Sequence, residues 1–130
     1  MRGIKFRAWD EKLKFMYHTD SISLNIDGEI CYLDTDGEWV YDIKNRIKLM
    51  QYTGLKDENS KEIYESDIVA FIDSTSTEGG YFEQNCIGMV QWDEETASFN
   101  VTNRLSAESY EILDGGCTVI GSFYENPELI

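Results

Sequence analysis

The chain contains 130 residues, of which 42% are hydrophobic and 13% aromatic, and this composition excludes an intrinsically disordered or low-complexity protein. Twenty-five Asp and Glu against 11 Lys and Arg give a net charge of −14, which opposes binding to the phosphate backbone of nucleic acids. No stretch has the roughly 18 consecutive apolar residues that a membrane helix needs, and the charged N-terminal segment is unlike a signal peptide. We therefore expect a folded cytoplasmic protein that binds neither a membrane nor nucleic acid directly.

The charge is unevenly distributed along the chain. Residues 1–61 hold ten Lys and Arg against 11 acids, a net charge of −1, whereas residues 62–130 hold Arg104 against 14 acids, a net charge of −13. We predict two subdomains with these bounds, the first near-neutral and the second acidic. An acidic surface that serves solubility is the ordinary interpretation, and the alternative is that the basic N-terminal part faces a partner or the acidic half of a second copy.

Three cysteines, Cys31, Cys86 and Cys117, are an odd number without CxxC spacing or a neighbouring histidine. This pattern indicates neither a disulfide framework nor a zinc site. Two of the three lie in apolar, strand-like runs, where free cysteine behaves as a small hydrophobic residue. We predict reduced, buried thiols.

In the N-terminal half, the patterning predicts β-strands joined by short turns. Residues 4–7 and 13–17 alternate apolar with basic residues and predict a first hairpin. Residues 21–43 contain two Asp-Gly pairs between alternating runs and predict a three-stranded meander, with a type I′ turn at Asp27-Gly28. An apolar strand and then a polar loop follow, up to residue 61.

In the C-terminal half, residues 64–73 predict a strand and residues 74–85, rich in Ser, Thr and Gly, predict a mobile loop. Residues 88–93 and 98–103 predict a second hairpin, and the run from Cys117 predicts a last strand. Residues 104–113 fit either a short helix or an extended segment. The predicted fold class is α+β, predominantly β: an N-terminal mixed β-rich subdomain followed by a small SH3-like β-barrel subdomain.

Four stretches together resemble the YopX-like proteins of bacteriophages and prophages. They are RGIKFRAWDEKLKFMY, LMQYTGLKDENSKEIYESDIV, GMVQWDEETASFNV and VIGSFYENPELI. The resemblance implies an α+β chain with a barrel-like C-terminal part, encoded by a phage or prophage and made in a bacterial host, and it implies no particular activity. The family usually has glycine where this chain has Ser66 and asparagine where it has Ser122. A serine at position 66 requires either a turn with negative φ or strain of about 1 kcal/mol.

The sequence lacks most of the residue combinations that a catalytic or ligand-binding site would require. His18 is the single histidine, so an acyl-transfer triad lacks partners for it, and neither glycine pair has the lysine and helix of a phosphate-binding loop. The segment 34–38 is too short for a calcium loop. We predict no catalytic, cofactor-binding or metal-binding residues.

We therefore expect a non-enzymatic protein that binds a host or phage protein, or its own copies, through strand edges and exposed aromatic side chains. One alternative is an acidic DNA mimic that inhibits a host nucleic-acid-binding protein, and a third hypothesis is a hydrolase or transferase of unknown type. The residues that we predict for an interaction surface are Trp9, Tyr52, Tyr64, Glu65, Asp67, Asp93, Glu94 and Glu95.

Overall fold

The computed structural model describes residues 4–103 and 109–130, and the chain divides into two compact units, Met1–Tyr52 and Thr53–Ile130. We call them unit 1 and unit 2. The predicted boundary after residue 61 lies too late, because the segment before it bonds to unit 2. Lys56 N–H donates to Asp114 Oδ1 over 2.9 Å, and Glu58 N–H donates to the carbonyl of Cys117 over 2.8 Å. With the boundary after Tyr52 the net charges of the two units are again −1 and −13.

Unit 1 is built from short antiparallel strands. They are β1 (Phe6–Asp10), β2 (Phe15–Tyr17), β3 (Ile22–Leu24), β4 (Ile30–Leu33), β5 (Trp39–Tyr41) and the first half of β6 (Ile47–Lys56). β1 pairs with β2 and with β6, and β3, β4 and β5 form a separate sheet in that order. The predicted first hairpin and the predicted meander are both confirmed. The core of unit 1 centres on Ala8, Tyr17, Tyr32 and Ile47.

The meander turns differ from the predicted type I′ geometry. Asn25 Oδ1 accepts the backbone N–H groups of Asp27 (3.0 Å) and Glu29 (2.8 Å), and the Asn25 carbonyl accepts that of Gly28. In that turn Gly28 has a positive φ, 85°, whereas a type I′ turn needs two such residues. The next turn repeats the arrangement, with Asp34 in place of Asn25 and Gly37 in place of Gly28. Side-chain capping of the turn therefore replaces the tight two-residue loop.

Unit 2 contains the end of β6 and six further strands. They are β7 (Glu62–Tyr64), β8 (Asp67–Thr77), β9 (Gly80–Asp93), β10 (Ser98–Thr102), β11 (Ser109–Glu111) and β12 (Thr118–Ser122). Five of them form an antiparallel sheet in the order β11-β10-β9-β8-β12. Its core holds Ile63, Val69, Val90, Val101, Ile112 and Cys117. The predicted hairpin of residues 88–103 and the last strand are confirmed.

Two expectations for the secondary structure are wrong. The described residues contain no α-helix, only 3₁₀ turns at Thr19–Ser21 and Pro127–Leu129, so they form an all-β structure rather than an α+β one. The predicted loop at 74–85 is instead the end of β8 and the start of β9, joined by a two-residue turn. Of the segment 104–113, residues 109–111 are a strand, and residues 104–108 lie outside the described residues.

Ser66 adopts the strained alternative. Its φ is 69°, a left-handed conformation that L side chains rarely take. Two backbone hydrogen bonds hold Ser66 in this conformation. Its N–H donates to the Val90 carbonyl, and its carbonyl accepts the N–H of Phe123, both over 2.8 Å. These two bonds tie the β7–β8 turn to β9 and to the residue after β12.

Candidate functional site

The β8–β9 hairpin extends well beyond the sheet to which it belongs. β8 and β9 pair continuously from Ile68 opposite Met89 to Thr77 opposite Gly80. Within the described residues, β12 accompanies β8 only as far as Ala70, and β10 accompanies β9 only from Met89 onward. Residues 71–87, which we call the arm, are therefore a two-stranded ribbon, and no strand among the described residues flanks the backbone N–H and C=O groups of its two outer edges.

Large apolar side chains of the arm are exposed to solvent. The exposed fractions are 58% for Ile72, 63% for Tyr81, 58% for Phe82 and 41% for Ile87. The pairing register puts Ile72, Tyr81 and Ile87 on one face of the ribbon and Phe82 on the other. Both faces of the arm thus present exposed apolar side chains, although Phe71 and Cys86 at its base are packed or buried.

The arm also has an acidic character. Asp73, Glu78 and Glu83 lie within residues 71–87, and this segment has no Lys or Arg. The Tyr81 hydroxyl donates to Glu83 Oε1 over 2.9 Å and lies 3.0 Å from Ser74 Oγ, which orients the ring along the ribbon. Charged and polar residues between apolar ones are a common protection of open strand edges against aggregation.

The base of the arm is fixed to the rest of unit 2. The Phe71 and Tyr110 rings pack edge to face with their centroids 4.9 Å apart, and the Tyr110 hydroxyl lies 3.4 Å from Asp73 Oδ2. These residues line a pocket of about 190 Å³ whose floor includes Cys117. Burial first, and then the negative charges of Asp57, Asp67 and Glu58, raise the pKa of the Cys117 thiol to about 11. The thiol therefore stays protonated at neutral pH and acts as an apolar packing group rather than a nucleophile.

The turn between β6 and β7 is held by one buried carboxylate. Asp57 Oδ1 accepts the N–H groups of Asn59 and Lys61, both over 2.9 Å, and Oδ2 accepts that of Val119 in β12 over 3.0 Å. Burial alone would raise the pKa of Asp57, but the bonds from Val119, Lys61 and Asn59 and the charge of Lys61 lower it below its ordinary value. Asp57 is therefore ionised and connects this turn to β12.

The C-terminal segment has a similar capping arrangement. Asn126 Oδ1 accepts Ser122 N–H over 3.2 Å, and Ser122 Oγ accepts Glu125 N–H over 3.2 Å. A Cβ at Gly121 would lie 2.5 Å from Asn126 Oδ1, so glycine is required for this close approach. The last strand of unit 2 ends in this local network.

The chain is similar to known proteins in its sequence pattern and in its fold. A family model described as YopX protein matches residues 5–130. The chain belongs to the YopX family. Among solved structures, the crystal structure of protein EF1440 from Enterococcus faecalis is similar over 99% of both chains, with 23% sequence identity and a TM-score of 0.67. At that identity the similarity shows the fold alone, and the comparison with curated proteins gave no significant match.

The residues that carry the family resemblance are largely structural. Asp57 of the middle stretch, and Gly121 and Asn126 of the last stretch, make the contacts described above. Ser66 and Ser122, where the chain departs from the family pattern, also occupy structural positions. The arm lies between the stretches that carry the resemblance. The family signature therefore accounts for the scaffold of unit 2 and not for the exposed apolar surface that the scaffold presents.

Two of the predicted interaction residues lie in the interior. Trp9 is 7% exposed in the core of unit 1, and Asp67 is 1% exposed, with Oδ2 accepting the N–H of Tyr64 over 2.8 Å. Their side chains cannot form an interaction surface, and for them the prediction is wrong. A charged residue is usually exposed, but the Asp67 carboxylate is buried because it caps the β7–β8 turn.

The remaining predicted residues fall in three places. Tyr64 and Glu65, half-buried, lie at the β7–β8 turn, and Tyr52, half-buried in β6, has the Lys5 ammonium 5.6 Å from its ring centroid. Asp93 caps the β9–β10 turn by accepting Glu95 N–H over 3.0 Å, and Glu94 and Glu95 are exposed there. These residues remain predictions for an interaction surface. The residues that the sequence reasoning missed are those of the arm.

A second exposed apolar surface lies in unit 1. On the outer face of the β3–β5 sheet, Trp39 stands opposite Leu33 and Tyr41 stands opposite Cys31. Trp39 is 53% exposed and Tyr41 is 57% exposed. Both rings lie on β5, an edge strand of this three-stranded sheet, and the opposite face of the sheet packs on the core of unit 1.

A search for metal ligands gave a negative result within residues 4–103 and 109–130, where no three His, Cys, Asp or Glu side chains cluster to hold an ion. His18 is exposed beside the 3₁₀ turn at Thr19–Ser21. In the same residues no helix has the length and apolar character needed to span a membrane.

Proposed function

We propose that this YopX-family chain is a non-enzymatic accessory protein of a phage or prophage, acting in the bacterial cytoplasm, that binds another protein through the arm. The observation that supports this proposal is the combination of two open strand edges with exposed Ile72, Tyr81 and Phe82 on a ribbon anchored at its base. We also propose that unit 2 has an SH3-like barrel fold, which its five-stranded antiparallel sheet supports.

The exposed apolar side chains and strand edges of the arm favour binding of a further strand. A two-stranded hairpin is marginally stable in water on its own, and the arm keeps its apolar side chains in solvent. A partner that adds a strand to either edge would satisfy the free backbone groups and cover these side chains together. Aromatic side chains such as Tyr81 and Phe82 supply large contact area with few rotatable bonds, which is typical of residues that dominate binding energy.

The charge of the arm restricts the chemistry of its partner. Asp73, Glu78 and Glu83 face no basic residue within the arm, so a basic surface would be attracted and an acidic one repelled. We therefore propose a partner with a basic, apolar docking surface.

The test is quantitative affinity capture from the host cell with matched variants. Tyr81→Thr with Phe82→Thr removes the aromatic rings and keeps the β propensity of the strand. Phe15→Thr with Trp39→Thr removes two rings of unit 1 with similar exposed fractions, 54% and 53%, and serves as the control. With the arm variant, we expect the recovery of at least one captured protein to fall about tenfold or more, which corresponds to a loss of about 1.4 kcal/mol or more in binding free energy. The control variant should recover that protein as well as the original chain does. Loss with the control and retention with the arm variant would refute the proposal.

The DNA-mimic alternative keeps one supporting observation, the net charge of −13 on unit 2. Several carboxylates are, however, directed at backbone N–H groups, as in Asp57, Asp67 and Asp114. A mimic predicts a nucleic-acid-binding partner that is released at moderate salt, because exposed charges are screened beyond about 10 Å at 0.1 M. Docking through apolar side chains predicts a partner that resists the same wash.

A further inference from the structure

Unit 1 contains a cavity whose chemistry complements that of the arm. The cavity is about 530 Å³ in volume, and Lys12, Lys44 and Arg46 line it together with apolar walls from Tyr32, Val40 and Tyr41. In a protein with a net charge of −14, three basic residues at one cavity are a marked local departure. The volume exceeds that of an aromatic side chain several-fold.

Lys12 and Lys44 carry the positive charges of this cavity that could pair with a bound acidic group. Arg46 is held in place, because Nη2 lies 2.9 Å from Asp10 Oδ2 and the guanidinium lies 4.8 Å from the Tyr32 ring centroid. Asp42, an acid in the lining, uses its carboxylate oxygens to accept the N–H groups of Arg46 and Ile47, each over 3.1 Å. Lys12 and Lys44 are exposed, and the structure of the described residues shows no carboxylate paired with either ammonium.

We propose that the occupant of this cavity is the arm of a second copy of the chain. The tip of the arm carries Glu78 and Glu83 beside exposed Tyr81 and Phe82, which matches two unpaired ammonium groups beside apolar walls. This inference rests on the proposed function, because it names the partner that the arm binds.

Contact between two arms fits less well. Two copies of residues 71–87 would bring six acids together with no basic residue between them, and like charges across an interface oppose association. An arm in a cavity instead joins two different surfaces. Such a contact is head-to-tail, and it closes into a ring or continues as a filament depending on the rotation between copies.

The test is sedimentation equilibrium on the full chain with two reciprocal charge reversals. The cavity variant is Lys12→Glu with Lys44→Glu, and the arm variant is Glu78→Lys with Glu83→Lys. Each should weaken self-association of the full chain about tenfold or more, because two attractive contacts become repulsive. Lys5→Glu with Lys14→Glu, and Glu38→Lys with Glu128→Lys, make the same charge changes at exposed positions outside the cavity and the arm and should weaken self-association much less.

A mixture of the cavity variant and the arm variant is the decisive measurement. The unchanged arm of the cavity variant meets the unchanged cavity of the arm variant, so the mixture should associate about as well as the original chain. A chain that stays monomeric at several hundred micromolar, variants no weaker than their controls, or a mixture that fails to associate would overturn the inference. A monomeric chain whose captured partner still depends on Tyr81 and Phe82 would leave the proposed function standing, so the two failures are distinguishable.

Discussion

Asp57 offers the sharpest test of how the family signature stabilises unit 2. Its carboxylate accepts three backbone N–H groups, two within its own turn and that of Val119 in β12. In Asp57→Asn the amide oxygen can replace Oδ1, but the amide NH₂ then faces the Val119 N–H, donor against donor. The variant loses one hydrogen bond to a charged acceptor and leaves a strand N–H without a partner.

The expected cost follows from that geometry. A hydrogen bond to a charged group contributes about 1.5–3 kcal/mol, so the free energy of unfolding of unit 2 should fall by about 2–3 kcal/mol. With a urea slope of about 1 kcal/mol/M for a domain of this size, the midpoint of unfolding should move down by about 2–3 M.

The assay is urea unfolding followed by ¹⁹F NMR of fluorotryptophan, because Trp92 reports on unit 2 while Trp9 and Trp39 report on unit 1. Since the folded-state pKa of Asp57 is lowered, its stabilisation is fully present above the unfolded-state pKa of about 4 and is lost as the pH falls through the folded-state pKa. The difference from Asp57→Asn should therefore be constant from pH 7 to about 5 and shrink below about pH 4.

Glu94→Gln, an exposed charge-neutralising change in the same unit, is the control and should move the Trp92 midpoint little. A shift for Asp57→Asn no larger than that of Glu94→Gln would refute the role of Asp57. A difference that persists unchanged down to pH 3 would refute the assignment of the effect to its ionised carboxylate.

Three further predictions concern backbone strain, packing and a buried phenol. Ser66→Gly should stabilise unit 2 by about 0.5–1 kcal/mol in the same assay, because relief of the left-handed conformation outweighs the added freedom of the unfolded chain, whereas Ser23→Gly, in a strand, should destabilise unit 1. Gly88→Ala should lower the free energy of unfolding of unit 2 by about 1–3 kcal/mol, because the new Cβ would lie against Val101 Cγ1 and 2.9 Å from the Thr102 carbonyl oxygen. Gly79→Ala, whose Cβ would meet nothing closer than 3.7 Å, is the control, and an equal loss of stability in both variants would contradict the prediction. Burial and the hydrogen bond to Asp10 raise the pKa of Tyr17 to about 12. The ultraviolet titration of the chain minus that of Tyr17→Phe should therefore show a phenol that ionises late, and unit 1 should lose stability between about pH 10 and 12, an effect that Tyr17→Phe should abolish.

Much of the framework follows from local patterns in the sequence. Alternation around the two Asp-Gly pairs predicts the meander, and the apolar runs at Val90 and Val101 predict the β9–β10 hairpin, because each strand has one buried face. The turn type was missed at Asp27-Gly28 because the side chain of Asn25, two residues earlier, supplies the hydrogen bonds that the backbone would otherwise make.

The arm could not be recognised in the same way, for a physical reason. Beyond the base, where Phe71 packs against the core of unit 2 and Cys86 is buried, the described side chains of the arm are exposed or half-buried, so residues 74–85 show no alternation of buried apolar and exposed polar side chains. The signals that remained were a run of Ser and Thr, of which Thr has high β propensity, and the two-residue connection Glu78-Gly79 between positions that pair. The burial of Trp9 and Asp67 also depends on tertiary packing and on a turn cap, which composition does not reveal.

The most direct test of the arm as the binding element is hydrogen exchange measured by mass spectrometry, on the chain alone and with its captured partner. In the free chain, amides of residues 71–87 that point outward from the ribbon should exchange fast, since no described strand flanks them. Partner binding should slow exchange in this segment more than anywhere else in the chain. Unchanged exchange in the arm, with protection confined to the β3–β5 sheet or to the β9–β10 turn, would contradict it.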